Sequence, residues 1–226
     1  MENNYSNELN EEFLRLYRVM EKYKEDNDAR YNYYASKYSS DFTMFKSIRN
    51  NLTHNISNND YPVLVSSSVV YSLKKILTLM NKKAYEIGSK KIAYAYLNTP
   101  IIKVISAIGN LNYSYIPIYQ EYKIVIGVIS EMTLIDVIDY LNKTKKIDQI
   151  NKYVVADFMN FFKLDANPNG EFVFGKKNML LHEAKELFAR KTKNKKRVRV
   201  LFLTQNGLKS EKILAMITSW DIISDE

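Results

Sequence analysis

The chain has 226 residues, 46% of them hydrophobic, enough for one large domain or two to three small ones with real cores. It contains no cysteine and two histidines, His54 and His182, which removes disulfides, thiolate chemistry and most structural zinc sites, and no carboxylate cluster takes their place. The formal net charge of +8 is unevenly spread: residues 1–28 hold eight acids and four bases, whereas residues 190–199 hold seven bases and no acid.

No apolar run approaches the roughly 18 residues of a membrane span. The opening MENNYSNELNEE is acidic and polar, unlike a signal peptide. The expected location is the cytoplasm, with no membrane contact.

From Leu9 the apolar positions Leu9, Phe13, Leu16, Tyr17 and Met20 describe an amphipathic helix. A polar patch, Lys24 to Arg30, breaks the pattern, and a second helical stripe runs through Tyr31, Tyr34, Tyr38, Phe42, Phe45, Ile48 and Leu52. The turn-forming NISNND at 55–60 and the Tyr61-Pro62 pair bar a continuing helix. Ser66 to Ser68 can then cap a third helix with Val69, Val70, Leu73, Ile76, Leu77 and Met80 on one face. Residues 1–84 are predicted to form a small antiparallel helical unit.

A short linking helix around Ala84 to Gly88 leads to a strand at Ile92 to Tyr96, and Asn98-Thr99-Pro100 starts a helix through Ile101, Val104, Ile105 and Ile108. Tyr113 to Tyr119 is β-branched and aromatic, Gln120 to Lys123 can turn, and Ile124 to Ile129 is a nearly unbroken apolar run suited to a sheet buried on both faces. Ser130 stops that strand and can cap a helix with Leu134, Ile135, Val137, Ile138 and Leu141 as its stripe. Residues 85–145 therefore read β-α-β-β-α.

Residues 150–226 repeat the plan. Tyr153 to Met159 supplies a lead-in, DANPNG at 165–170 is a turn-rich excursion, Glu171 to Phe174 is a strand, and Asn178 to Arg190 is a helix. Arg197 to Leu203 is a strand, Thr204 to Glu211 holds an Asn-Gly turn, Lys212 to Ile217 is a strand, and Thr218-Ser219-Trp220-Asp221 opens a helix. Two copies roughly 85 to 90 residues apart form an internal repeat. The fold class is α+β, a helical unit followed by a pair of β-α-β-β-α modules.

Thr218 ends a strand and opens a helix, so its hydroxyl and the free backbone N–H groups can meet a phosphate. Asp221, one turn on, can accept hydrogen bonds from ribose hydroxyls. The same spacing also describes an ordinary capping box that serves only the helix. In the first copy, Ser130-Glu131-Met132-Thr133 puts Thr133 where the acid stands in the second; Ser130 and Thr133 are ligand-binding candidates too, but a neutral hydrogen bond in place of a charge-assisted one forfeits on the order of 1 kcal/mol, so a nucleotide held there would be bound several-fold more weakly or differently. Arg199, placed on the second copy's central strand at about the position of Tyr115, and Arg197, two residues earlier on the same face, are the cations for a phosphate. The run ARKTKNKKRVR is either a solvated loop or a landing site for polyphosphate or RNA.

The segments TPIIKVISAI, YSYIPIY and VIGVISEMTLID, with LLHEAKELF, RVRVLFL and ILAMITSWDII in the second copy, resemble tandem CBS domains, the paired modules called a Bateman domain. The resemblance covers nearly two thirds of the chain. It implies a pseudo-twofold pair with a cleft that commonly binds adenine nucleotides or related adenosyl ligands. The family's [ST]-x-x-[DN] motif is matched by Thr218/Asp221, and Thr133 departs from it. The implied regulatory ligand is AMP, ADP, ATP or cyclic di-AMP, with no catalytic cofactor.

Arg49-Asn50-Asn51-Leu52-Thr53-His54 resembles the R-polar-x(3)-H signature of HEPN domains, all-helical units that often dimerise and in many members cut RNA without metal. That resemblance implies Arg49, Asn50 and His54 as catalytic residues: the histidine would move protons at the 2′-OH or leaving oxygen, and the arginine would stabilise the crowded phosphorane. Arg49 and His54 are five apart, hence on different faces of a straight helix, so a dimerising or partner-binding unit is the competing reading. His182, amid Leu180, Leu181 and Glu183, reads as a surface helix residue. Both resemblances imply a homodimer. The functional expectation is a nucleotide-sensing regulator of an N-terminal unit that cuts RNA, or a non-enzymatic adaptor that docks onto a partner protein.

Overall fold

The computed structural model describes residues 2–54, 61, 63–111, 113–164, 171–190 and 196–225. The turns predicted at 55–60 and 165–170, Pro62 and the middle of the basic run, 191–195, lie outside the described residues. The chain divides into two compact units, Met1–Lys82 and Lys83–Glu226.

The first unit contains α1 (Glu2–Asp26), α2 (Asp28–Lys37), α3 (Ser39–His54) and α4 (Ser67–Asn81). Its core is built from the predicted stripes, with Phe13, Met20, Phe45, Leu52, Leu73 and Met80 at most 1% exposed. The stripe from Tyr31 to Leu52 is split in two at Tyr38, whose backbone (φ −120°, ψ 44°) leaves the helical region. Ser39, Ser40 and Asp41 follow, residue types that open helices better than they continue them. Asn27 caps α2 by accepting from the Arg30 N–H at 3.0 Å. Asn10, fully buried on α1, donates to Val63 O (3.1 Å) and accepts from Val65 N–H (2.8 Å), satisfying backbone groups of the segment that enters α4.

The second unit runs α5 (Ala84–Ile87), β1 (Ala95–Tyr96), α6 (Ile101–Leu111), β2 (Tyr115–Tyr119), β3 (Val125–Ser130) and α7 (Glu131–Lys143). Two 3-10 turns (Ile147–Lys152 and Val155–Phe158) and α8 (Met159–Phe162) lead to β4 (Glu171–Lys176), α9 (Leu181–Ala189), β5 (Val198–Thr204), β6 (Ala215–Thr218) and α10 (Ser219–Ile223). There are two three-stranded sheets, ordered β1-β2-β3 and β4-β5-β6. In each, the first two strands are parallel and the last two antiparallel. The strand expected at Ile92–Tyr96 is reduced to its last two residues, and the one expected at Lys212–Ile217 to Ala215–Thr218.

The two lead-in segments trade places. Ala84 of α5 is buried in the core of the second sheet, with Leu181, Leu201, Ala215 and Ile217. Ser89 then runs beside β6 and exchanges two backbone hydrogen bonds with Met216, at 2.9 and 3.0 Å. Reciprocally, Val155, Phe158 and Phe162, which precede the second sheet in sequence, are buried with Ile101, Ile116, Ile129 and Val137 of the first. The Val155 and Ala156 N–H groups donate to Thr99 O and Leu97 O at 2.9 Å each, and Lys163 bridges to Gly127 of β3. The caps match as well: Lys83 N–H donates to Glu86 at 2.7 Å, and Val154 N–H to Asp157 at 2.8 Å. A third apolar layer, with Tyr119, Val125 and Val128 from one sheet and Phe172, Val200 and Phe202 from the other, joins the two sheets.

The predicted Asn-Gly turn is present, with Gly207 at φ +83°. The Glu211 carboxylate closes it, accepting from the Asn206 N–H (2.7 Å) and side-chain amide (2.6 Å) and from the Leu208 N–H (3.3 Å). These bonds, the one from the Asn206 backbone foremost, hold its carboxyl down at about 2. The turn between β2 and β3 is unlike it: Tyr122 (φ 59°, ψ 21°) and Lys123 (φ 61°) occupy the left-handed region in succession, at a cost of about 1–2 kcal/mol each relative to right-handed backbone.

Gly127 is where the exchange is tightest, because a Cβ there would lie 2.6 Å from the Phe162 carbonyl oxygen. Gly127→Ala is predicted to lower the unfolding free energy by about 2 kcal/mol or more. Gly109→Ala, in α6 with nothing within 4 Å of its added Cβ, is predicted to raise it by about 0.5–1 kcal/mol. Urea denaturation of the two variants checks both.

Candidate functional site

β6 ends at Thr218, where the strand passes into the five-residue α10. The Asp221 Oδ2 accepts both the Thr218 N–H (2.7 Å) and the Thr218 hydroxyl (2.9 Å). Both bonds run from Thr218 to Asp221, whose carboxylate reaches back to hold the start of the helix, and both residues are partly exposed. The end of α10 is fixed by an ion pair of Asp225 with Lys185 of α9, at 3.3 Å and with both side chains largely buried.

The matching position in the first copy is closed. Thr133 is fully buried and Ser130 nearly so. The Thr133 hydroxyl accepts from the Ser130 N–H (2.8 Å) and donates to the Ser130 carbonyl (3.0 Å), while the Thr133 N–H donates to the Ser130 hydroxyl at 3.3 Å. Their hydrogen-bonding capacity is spent on the helix start.

The arginines need a correction of register. Tyr115 pairs with Ser130 in the first sheet, and Val200 pairs with Thr218 in the second. Val200, not Arg199, therefore holds the position of Tyr115. A shift of one residue along a strand reverses the face. Thr218 projects on the side of Val200 and Phe202, toward the other sheet, whereas the exposed Arg199 alternates with them and shares the side of Leu201 and Leu203. Arg197 is exposed just before β5, its carbonyl accepting from the Glu171 N–H at 3.0 Å. The structure brings Thr218 and Asp221 together and leaves Arg197 and Arg199 off that face.

In the first unit, Arg49 and Asn50 lie on α3, which ends at His54. The Arg49 guanidinium is 3.5 Å from Glu21 of α1 and donates to the Asn50 side-chain oxygen at 3.2 Å. The His54 side chain lies outside the described residues. His182 is 4% exposed on α9, within the core side of that helix rather than on its surface. The sequence reading missed Ser89, which the lead-in exchange sets beside Met216, two residues from Thr218. Its only local signal is the Gly88-Ser89 pair after α5; Gly88 is buried with its Cβ position 3.0 Å from Ile217.

Of the two copies of the β-α-β-β-α plan, the first corresponds to a known module. Residues 84–140 match the CBS domain. No curated protein sequence matches the chain. Among solved structures, the chain is similar in fold to CBSX2 in complex with AMP, at 14% identity over 64% of this chain and 95% of that one, with a TM-score of 0.44. It is similar also to the CBS-pair protein CBSX2 from Arabidopsis thaliana, at 13% identity over 64% of this chain and 94% of that one (TM-score 0.44). The CBS domain pair of MJ0100, in complex with 5′-methylthioadenosine and S-adenosyl-L-methionine, shows 14% identity over 63% and 94% of the two chains (TM-score 0.43).

Proposed function

We propose that residues 83–226 act as a CBS pair that binds an adenine nucleotide, AMP, ADP or ATP, or cyclic di-AMP, at the Thr218–Asp221 end of β6. Occupancy then sets the state of the N-terminal helical unit, in a regulatory protein of the cytoplasm. The carrying observation is the contrast between the two copies. Ser130 and Thr133 are buried and mutually saturated, whereas Asp221 spends Oδ2 on the cap and, among the described residues, makes no hydrogen bond through Oδ1. A partly exposed carboxylate oxygen of this kind can accept ribose hydroxyls. The CBS match at 84–140 supports the ligand class. Arg197 and Arg199 take an outer role, toward polyphosphate or RNA, and Ser130 and Thr133 a structural one.

The homodimer expectation gains a surface from the repeat. The equivalence of Ser130 and Thr218 makes Met132 equivalent to Trp220 and Ile135 to Ile223. All four are at least half exposed, at 50%, 69%, 50% and 59%, so α7 and α10 each offer an apolar i, i+3 pair to a second copy. Of the two outputs, docking onto a partner protein is favoured over RNA cleavage, because Arg49 is already engaged by Glu21 and its charge is compensated within the unit.

A melting screen with AMP, ADP, ATP, S-adenosylmethionine and cyclic di-AMP is expected to give one class of ligand that adds about 2.7 kcal/mol at 100 times its dissociation constant. Asp221→Asn, which keeps an oxygen for the cap, is expected to reduce that gain sharply. A flat response to the whole panel, or an undiminished one from Asp221→Asn, contradicts the site. For the output, structured RNA incubated with the protein in EDTA is expected to stay intact with and without ligand. Cleavage that is lost in Arg49→Ala and His54→Ala would establish the nuclease reading instead.

A further inference from the structure

The tip of the first sheet carries a cluster of tyrosines that the nucleotide site does not use. It sits at the β2–β3 turn, the opposite end of that hairpin from Ser130. Tyr96, Leu97, Asn98, Tyr119, Gln120, Glu121 and Tyr122 line a surface cavity of about 780 Å³ there. Tyr94 lies nearly parallel on Tyr119 (centroids 5.0 Å apart, 24°) and meets Tyr96 edge to face (5.3 Å, 75°). Tyr119 is thus the buried floor beneath Tyr94, Tyr96 stands across Tyr94 at a steep angle, and Tyr122 at the turn is 83% exposed.

The backbone makes Tyr122 conspicuous. Two successive residues in the left-handed region form a tight hairpin turn, where Asn-Gly or Asp-Gly is the low-cost pair. Here Tyr122 and Lys123 occupy it, and the Tyr122 ring gains almost no burial in return. The turn is nonetheless held: Gln120 N–H donates to Ile124 O (2.8 Å), and Lys123 O accepts from the Ile213 N–H (3.4 Å). The result is a held backbone turn that carries an exposed aromatic ring beside a pocket.

The electrostatics of the lining choose the guest. Glu121 is the one charged residue among the described lining residues. Tyrosine ring faces are also electronegative. Tyr119 is buried beneath Tyr94, and burial, then Tyr94 and Tyr96, push its hydroxyl up to about 12, so the floor of the corner stays uncharged. A phosphate-bearing guest would meet a carboxylate and no lining cation, whereas an alkylated ammonium would meet ring faces and an opposite charge. The net charge of +8 on the whole chain is screened over about 8 Å at physiological ionic strength, so the lining dominates at contact.

We propose that this corner is a binding site for a small organic cation with a quaternary ammonium head, held by Tyr96 and Tyr122 through cation–π contact and by Glu121 through charge. Tetramethylammonium chloride is the probe, titrated against the intact protein with amide and ring NMR shifts as the readout. The uncharged isostere 3,3-dimethyl-1-butanol is titrated in parallel. Saturable shifts at Tyr96, Tyr119 and Tyr122 with tetramethylammonium are expected, weakened about tenfold by Tyr96→Ala or Tyr122→Ala. Tyr122→Phe should retain binding, since the ring face and not the hydroxyl makes the contact, and Glu121→Gln should weaken it several-fold. Asp221→Asn should bind like wild type, which separates this site from the nucleotide site. Equal binding of the uncharged isostere, full binding by Tyr122→Ala, or the absence of saturation would overturn the proposal.

Discussion

The exchange of lead-in segments is the constraint on which the second unit depends. Each sheet has one face closed by residues that precede the other sheet in sequence, Ala84 in one case and Val155, Phe158 and Phe162 in the other. Full burial of a large apolar side chain contributes about 1.5–3 kcal/mol, so three of them are on the order of the whole stability of a small domain. Neither copy of the repeat can be completed from its own residues. Backbone pairing enforces the same arrangement, since Ser89 is strand-like beside β6 and Lys163 beside β3 only if both segments cross over.

That crossing also decides what surrounds Thr218. Thr218 sits at the end of a strand whose outer neighbour is Ser89, so the rim of the candidate site is composed from both ends of the unit. The two helix starts are equivalent in backbone geometry and different in chemistry. A buried threonine satisfies the first cap and leaves nothing over, while an aspartate satisfies the second with one of its two oxygens. A repeated fold thus presents the same corner once with a fully buried cap and once with a partly exposed one.

Local pattern carried much of this into view. The repeat, the ββα order, the Asn-Gly turn and the helical stripes follow from periodicity and turn chemistry, and the stripes select most core residues of α1, α3 and α4; Leu14 is buried outside them, and Leu9, Ile48 and Val69 are only partly buried. The failures have physical causes. The break at Tyr38 falls inside an uninterrupted apolar stripe, so periodicity carries no mark of it. Arg199 lies on the face opposite Thr218 because Val200, one residue on, is the partner of Thr218, and a one-residue offset between the two copies, which only the pairing resolves, inverts the side. The exchange itself is long-range, and a lead-in reads the same whichever sheet it closes. Tyr122 and Lys123 stand in a turn whose ordinary signal, Asn-Gly, is absent, so nothing in their identity announces the left-handed backbone. His182 sits between two leucines on a helix start, where a one-position rotation decides between core and surface.

Native-state hydrogen exchange tests the interlocked pair most directly. If the two sheets share their cores, the slow amides of β2–β3 and of β5–β6 open together with free energies that agree within about 1 kcal/mol, and Ala84→Asp, a charge placed in the core of the second sheet, lowers both sets equally. Loss of protection confined to β5–β6, with β2–β3 unchanged, would show that the two copies fold independently and would contradict the account.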